Sequence, residues 1–69
     1  MTFEWNEEFD LLILQNRKLE CLALMAEVYA STLATRLAML TARYDYLRQH
    51  RPDEFVCAHE EYWQDFMSA

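Results

Sequence analysis

Cys57, His59 and His50 lie close in sequence and carry acid–base or nucleophilic chemistry, and Cys57 with His59 has the composition of a nucleophile and its base. Their spacing argues against that role. On a helix, residues two apart point roughly 200° away from each other, so thiol and imidazole cannot meet within one helix. His59, set among aromatic residues, reads instead as a packed histidine at the edge of a core. The chain has no Glu-x-x-His pair of the di-metal bundle kind, no CxxC pair for zinc and no glycine-rich phosphate loop. It is expected to be no enzyme and to hold no metal or cofactor. Cys21 and Cys57, the two cysteines, are too few for a disulfide framework. They are expected as free, half-buried thiols, with a single bridge between them as the alternative.

The remaining chemistry is that of recognition. Twelve Asp and Glu face six Lys and Arg, for a formal charge of −6 at pH 7. Glu4, Glu7, Glu8 and Asp10 open the chain, and Asp53, Glu54, Glu60, Glu61 and Asp65 come after Pro52. This balance argues against direct nucleic-acid binding, which needs clustered Lys and Arg to neutralise phosphates. It suits a basic surface on another protein, or a solvated face serving solubility alone. Tyr62, Trp63 and Phe66 fall at helical spacing, as a core or as an aromatic anchor. Trp63 and Met67 lie at the edge of that face and are expected to be exposed; Trp5 is similarly ambiguous. The expected partner-binding set is Glu4, Glu7, Glu8, Asp53, Glu54, Glu60, Glu61, Asp65 and Trp63.

Helices must position these groups. Glycine is absent, and from Asn6 to Arg51 the chain carries no proline either. Asn6 is a good N-cap, and Glu7, Glu8 and Asp10 fill the next turn, where a helix dipole favours carboxylates. The pattern predicts one continuous helix over about 7–49, roughly 65 Å long, a corner at 50–51 and a second helix over about 52–67. Pro52 drives Arg51 out of the α region and suits the first turn of that second helix. The weakest stretch is Val28 to Thr35, where β-branched residues gather and a break would give two helices. Without Gly, Pro, Asn or Asp in that stretch, the continuous helix is the expectation.

The wheel of that helix predicts an assembly. Leu12, Leu19, Ala26, Leu33, Leu40 and Leu47 recur every seven residues, accompanied by Leu22 and Tyr29, then by Leu37 and Tyr44. A second apolar row holds Leu14, Cys21, Met25, Val28, Met39 and Tyr46, and Lys18, Arg36 and Arg43 run between the rows. The cations are expected to pair with carboxylates of the short helix or of a partner copy, or to border a contact surface. The solvent stripe is Glu20, Glu27, Ser31, Ala34, Ala38, Asp45 and Gln49. A surface helix needs an apolar stripe of little more than ~100°, and this one is far wider. The short helix, whose apolar face holds Phe55, His59, Tyr62, Trp63 and Phe66, spans only about a third of it. The expected fold is all-α: a helical hairpin paired as an antiparallel homodimeric bundle, with the acidic start of one chain beside the short helix of the other.

No signal peptide or membrane span is legible. The first residues are acidic, and no apolar run approaches the ~18 residues a span needs. A soluble cytoplasmic protein is expected.

The opening Met1-Thr2-Phe3-Glu4-Trp5-Asn6-Glu7-Glu8-Phe9-Asp10, the length of 69 residues and the Pro52 corner together resemble the small quorum-sensing anti-activator proteins encoded by Pseudomonas phages. The likeness covers essentially the whole chain and rests on no signature motif. It implies a non-enzymatic homodimer in the host cytoplasm that binds the DNA-binding domain of a LuxR-type, LasR-like regulator and blocks promoter binding. It also implies inhibition of the type IV pilus assembly ATPase, and with it exclusion of further phages. No contact residue carries over, because no motif fixes one. Another small phage inhibitor, such as an anti-CRISPR protein, and a structural dimerisation or assembly module are the alternatives.

Overall fold

Asn6 begins the first helix as its chemistry dictates: its backbone is extended and its Oδ1 accepts from the Phe9 amide at 3.2 Å. The computed structural model describes residues 3–64. Within them lie α1 (Glu7–Leu14), α2 (Lys18–Val28), α3 (Leu33–His50), a 3₁₀ turn (Pro52–Glu54) and α4 (His59–Tyr62), with no strand among the described residues. The all-helical class expected from the missing turn residues is present.

The continuous helix over 7–49 is not. The Cα trace extends 33 × 30 × 16 Å, half the length of the expected rod in its longest direction. Asn16 makes the first break, at φ 59°, in the left-handed region that Asn tolerates better than other non-glycine residues. The Asn16 amide donates to the Ile13 carbonyl (3.1 Å) and the Arg17 amide to the Leu12 carbonyl (2.8 Å), the paired closure of a Schellman corner with Asn where Gly is usual. The second break falls in the weak stretch. Tyr29 is extended, and Thr32 caps α3 by accepting from the Thr35 amide at 3.2 Å. Two side chains able to bond the local backbone thus did what no Gly or Pro was present to do.

The C-terminal expectation also changes. α3 ends at His50 and Pro52 opens the next turn, as expected, but the regular helix over 52–67 is replaced by the 3₁₀ turn, an irregular segment and the short α4. Asp65, Phe66 and Met67 lie outside the described residues. The irregular segment is tied to the end of α1, where the Val56 amide donates to the Leu14 carbonyl (3.1 Å) and the Tyr62 hydroxyl to the Ile13 carbonyl. Both carbonyls belong to the last turn of α1, where the regular i+4 amide partners of a helix interior run out.

Broken twice, the chain covers itself. Phe9, Ile13, Leu14, Cys21, Leu22, Met25, Leu40, Tyr44, Leu47 and Tyr62 form one buried core, with α1 packed on α2 and α3, and α2 on α3. The radius of gyration, 11.8 Å, is close to the roughly 11 Å of a compact chain of this length. Its surface of 4707 Å² is close to the roughly 4,600 Å² of a folded monomer of this mass. The bare rod that needed a partner is therefore gone. Of the expected seam, Leu22, Leu40, Tyr44 and Leu47 are buried, and Leu12, Tyr29 and Leu37 are half-buried. Ala26 is exposed, Leu19 is 70% exposed and Leu33 59%. Of the second row, Leu14, Cys21 and Met25 are buried, whereas Val28 and Tyr46 face outward. A new helical phase after each break explains the scatter.

The left-handed corner predicts an order of stabilities. Asn16→Val should lose at least about 2 kcal/mol, because a β-branched side chain is worst at positive φ. Asn16→Gly, which keeps the backbone and loses only side-chain bonds, should lose less than half of that. Urea unfolding at pH 7 measures both, and equal losses would show that the corner is not what breaks the helix.

Candidate interaction surface

The cations of this chain are drawn inward. Lys18 is 2% exposed, and its ammonium donates to the Asn16 Oδ1 and to the Tyr62 carbonyl (2.6 Å) while lying 4.3 Å from the Tyr62 ring centroid and 5.4 Å from that of Trp63. Arg43 forks onto Asp10 with bonds of 2.9 and 2.8 Å, its guanidinium over the rings of Tyr46 (4.3 Å) and Trp5 (5.7 Å). Arg48 lies 3.8 Å over Phe55 and donates to the Tyr44 hydroxyl (2.7 Å) and the Cys57 carbonyl (2.9 Å). Ring faces and carbonyls supply the negative potential that a buried cation needs. Arg36 donates to the Ser31 carbonyl, and its buried Nε has no hydrogen-bond partner among the described residues.

Asp10 is the counterpart, 5% exposed and held by Arg43, with Arg51 3.9 Å away. Its bond pushes the Arg43 guanidinium above its ordinary range. Arg51 gathers two acids at once: Glu54 at 2.7 Å and Glu7 at 2.9 and 3.0 Å. These bonds, Glu54's first, raise Arg51, and Arg51 in turn holds the Glu54 carboxyl below the usual carboxylate range. The acidic start and the acids after Pro52 therefore meet within a single chain, through Arg51. Arg43 likewise pairs with α1, not with the short helix.

The aromatic group around Tyr44 is core. Tyr62 stacks on Tyr44 at 4.4 Å and is fully buried, and burial pushes its hydroxyl well above the ordinary range. Trp63 is half-buried, edge-on to Tyr44 at 5.1 Å, rather than exposed. Trp5 is half-buried against Phe3 and Phe9. His59 is more exposed than a core-edge residue, yet its ring stacks on Tyr44 and its Nδ1 lies 2.8 Å from the Tyr44 hydroxyl. Arg48 has only hydrogens to give, so the hydroxyl accepts from Arg48, while the direction of its bond with His59 is set by the imidazole tautomer. Both cysteines are free thiols. Cys21 is fully buried, which pushes it up to about 12, and Cys57 is half-buried near the Asn16 side-chain amide. No group of three or more His, Cys, Asp or Glu among the described residues could hold a metal ion, and no helix there is long and apolar enough to cross a membrane.

The outward face is set by the inward one. Among the described residues, Arg17 is the one exposed cation, whereas every carboxylate except Asp10 is exposed: Glu4, Glu7, Glu8, Glu20, Glu27, Asp45, Asp53, Glu54, Glu60 and Glu61. Arg17 is itself in an ion pair with Glu20 at 2.6 Å. The surface is more acidic than the net charge alone conveys. Of the expected binding set, Glu4, Glu7, Glu8, Asp53, Glu54, Glu60 and Glu61 lie on it, with Glu7 and Glu54 already committed to Arg51. What the sequence did not flag is an open groove between α1 and α2 lined by Leu11, Leu12, Ala23 and Leu24. The signal existed as an i, i+3, i+4, i+7 row on each helix, but a continuous helix places the two rows out of phase. No family model, curated protein or solved structure matches the chain.

Removing Arg43 should cost far more than removing Arg17, although each ends one ion pair. Arg43→Met strands a nearly buried Asp10 and should lose about 2 kcal/mol, softened by the nearby Arg51. Arg17→Met breaks a pair whose side chains are half exposed and should stay within about 0.5 kcal/mol of the parent. Thermal and urea unfolding of the two variants decide this, and equal losses would show that the Asp10–Arg43 fork is not a structural tie.

Proposed function

We propose that the chain is a non-enzymatic inhibitory protein whose acidic surface occupies a basic, nucleic-acid-reading surface of a partner. The observation that carries this reading is the segregation of charge: ring faces and carbonyls absorb Lys18, Arg36 and Arg48, Asp10 holds Arg43 inside, and the exposed carboxylates outnumber the cations left to neutralise them. Such a surface steers association with a basic partner and weakens as salt rises. The resemblance to phage anti-activators supplies the target, the DNA-binding domain of a LuxR-type regulator in the host cytoplasm, with the type IV pilus assembly ATPase as a second client. Glu60 and Glu61 on α4 are the acids whose reversal interferes least with the Arg51 cluster.

Glu60→Lys with Glu61→Lys should slow association with the regulator roughly tenfold or more at low salt and leave the unfolding midpoint near the parent's. Surface plasmon resonance over a salt series reads this, and an unchanged rate would sink the acidic-surface reading.

Self-association belongs to the same proposal on a reduced basis. Leu19, Ala26 and Leu33, the part of the heptad seam that folding leaves outside, are where a second copy would pack. Sedimentation equilibrium at micromolar concentration should then show a dimer that Leu19→Asp with Leu33→Asp converts to monomer. A monomeric parent chain would end the homodimer proposal while leaving the acidic surface intact.

A further inference from the structure

α1 is apolar on two sides. Phe9, Ile13 and Leu14 face the core, while Leu11, 43% exposed, faces away from it and half-buried Leu12 packs at the core's edge with part of its side chain outside. A surface helix needs one stripe of about 100°, so the second apolar side is surplus to the fold. α2 meets it with Ala23 and Leu24, and the two helices wall an open groove of about 540 Å³. Each wall is a complete helical ridge: Glu8, Leu11, Leu12 and Gln15 on α1, then Glu20, Ala23, Leu24 and Glu27 on α2. The furrow between two such ridges is where a third helix packs, and Ala23 lets its backbone approach closely.

The rim selects the occupant. Glu8, Glu20 and Glu27 are exposed carboxylates along it, and the single cation there, Arg17, is held by Glu20. A second copy of this chain would bring mainly further carboxylates, since its own cations are drawn inside. We infer that the α1–α2 groove binds an amphipathic basic helix of a partner protein, its apolar side chains at i, i+3, i+4 and i+7 on the leucines and its Lys or Arg residues against Glu8 and Glu27. α2 is 11 residues long, enough wall for about three turns of such a helix. The inference rests on the reading of the acidic surface and adds to it the secondary structure and hydrophobic anchor of what is bound.

The test uses the full chain, labelled with nitrogen-15, and two synthetic helical peptides of three to four turns. Both carry one leucine stripe, with lysines flanking it in one peptide and glutamates in the other. The lysine peptide should bind with micromolar affinity and shift amides of residues 8–27 first, and the glutamate peptide should bind at least about tenfold more weakly. Ala23→Arg, which fills the groove and places a cation in it, should abolish the shifts, and Leu11→Ser, at a half-exposed site, should weaken binding about tenfold with the unfolding midpoint near the parent's. Shifts that map elsewhere, equal binding of the two peptides, or an indifferent Ala23→Arg variant would overturn the inference. Concentration-dependent shifts of groove amides without peptide would overturn it too, by assigning the groove to a second copy. If groove binding fails while Glu60→Lys with Glu61→Lys still slows regulator association, the groove alone is wrong; failure of both removes the acidic-surface reading as well.

Discussion

A cation held against aromatic rings is the interaction on which this small structure depends. A chain of 69 residues has little core to bury, and domains near this size are marginal on apolar packing alone. Here the long stems and charged heads of Lys18, Arg43 and Arg48 serve as packing material among Tyr62, Trp5, Tyr46 and Phe55. Lys18 matters most for topology. Its ammonium draws together the Asn16 corner, the first turn of α2 and the carbonyl of Tyr62 at the end of α4. Tyr62 in turn bonds the last turn of α1 through its hydroxyl. The α1–α2 corner and the distant end of α4 are thus closed around one charge and one ring.

That inward use of positive charge has an outward consequence. With Lys18, Arg36 and Arg48 held by rings and carbonyls and Arg43 by buried Asp10, the carboxylates facing solvent have fewer cationic partners than their number. The resulting field is a by-product of folding, and it favours the approach of basic surfaces. The α1–α2 groove adds an apolar floor beneath part of that field. In the proposed reading, charge sets the sign of the partner and the leucine-lined furrow restricts its shape. The two properties come from the same break at Asn16, which separates α1 from α2 and gives each helix its own outward ridge.

Much of the secondary structure was legible from single residues acting locally. Asn6 capped α1, Pro52 opened the turn after α3, and the absence of glycine left an all-helical chain. Arg43 between two apolar rows had to be paired, and it is. The long rod was misread because the heptad of Leu12, Leu19, Ala26, Leu33, Leu40 and Leu47 holds a single phase only if no corner intervenes. Asn16 was the available sign of a corner, being the one asparagine inside the expected helix and of a type that accepts a left-handed backbone at modest cost. The Val28–Thr35 stretch was rightly the weak point, but its capping threonine outweighed the lack of Gly or Pro. For the binding surface, the acids were visible as a list, while their exposure and the groove beside them were not.

The sequence by itself determined the helical content, the acidic balance, the first cap and the proline corner, because each rests on one residue's own backbone or charge. Only the tertiary structure decided where the rod breaks, which way the cations turn and which leucines stay outside. A left-handed Asn16 costs about 1–2 kcal/mol locally, and whether the chain adopts it depends on what folding back buries. Phe9 and Leu14 on α1, Cys21 and Met25 on α2 and Tyr44 on α3 meet only after that corner is made. Non-local burial, which no local pattern encodes, therefore turned an apparent rod into a folded chain with an acidic exterior.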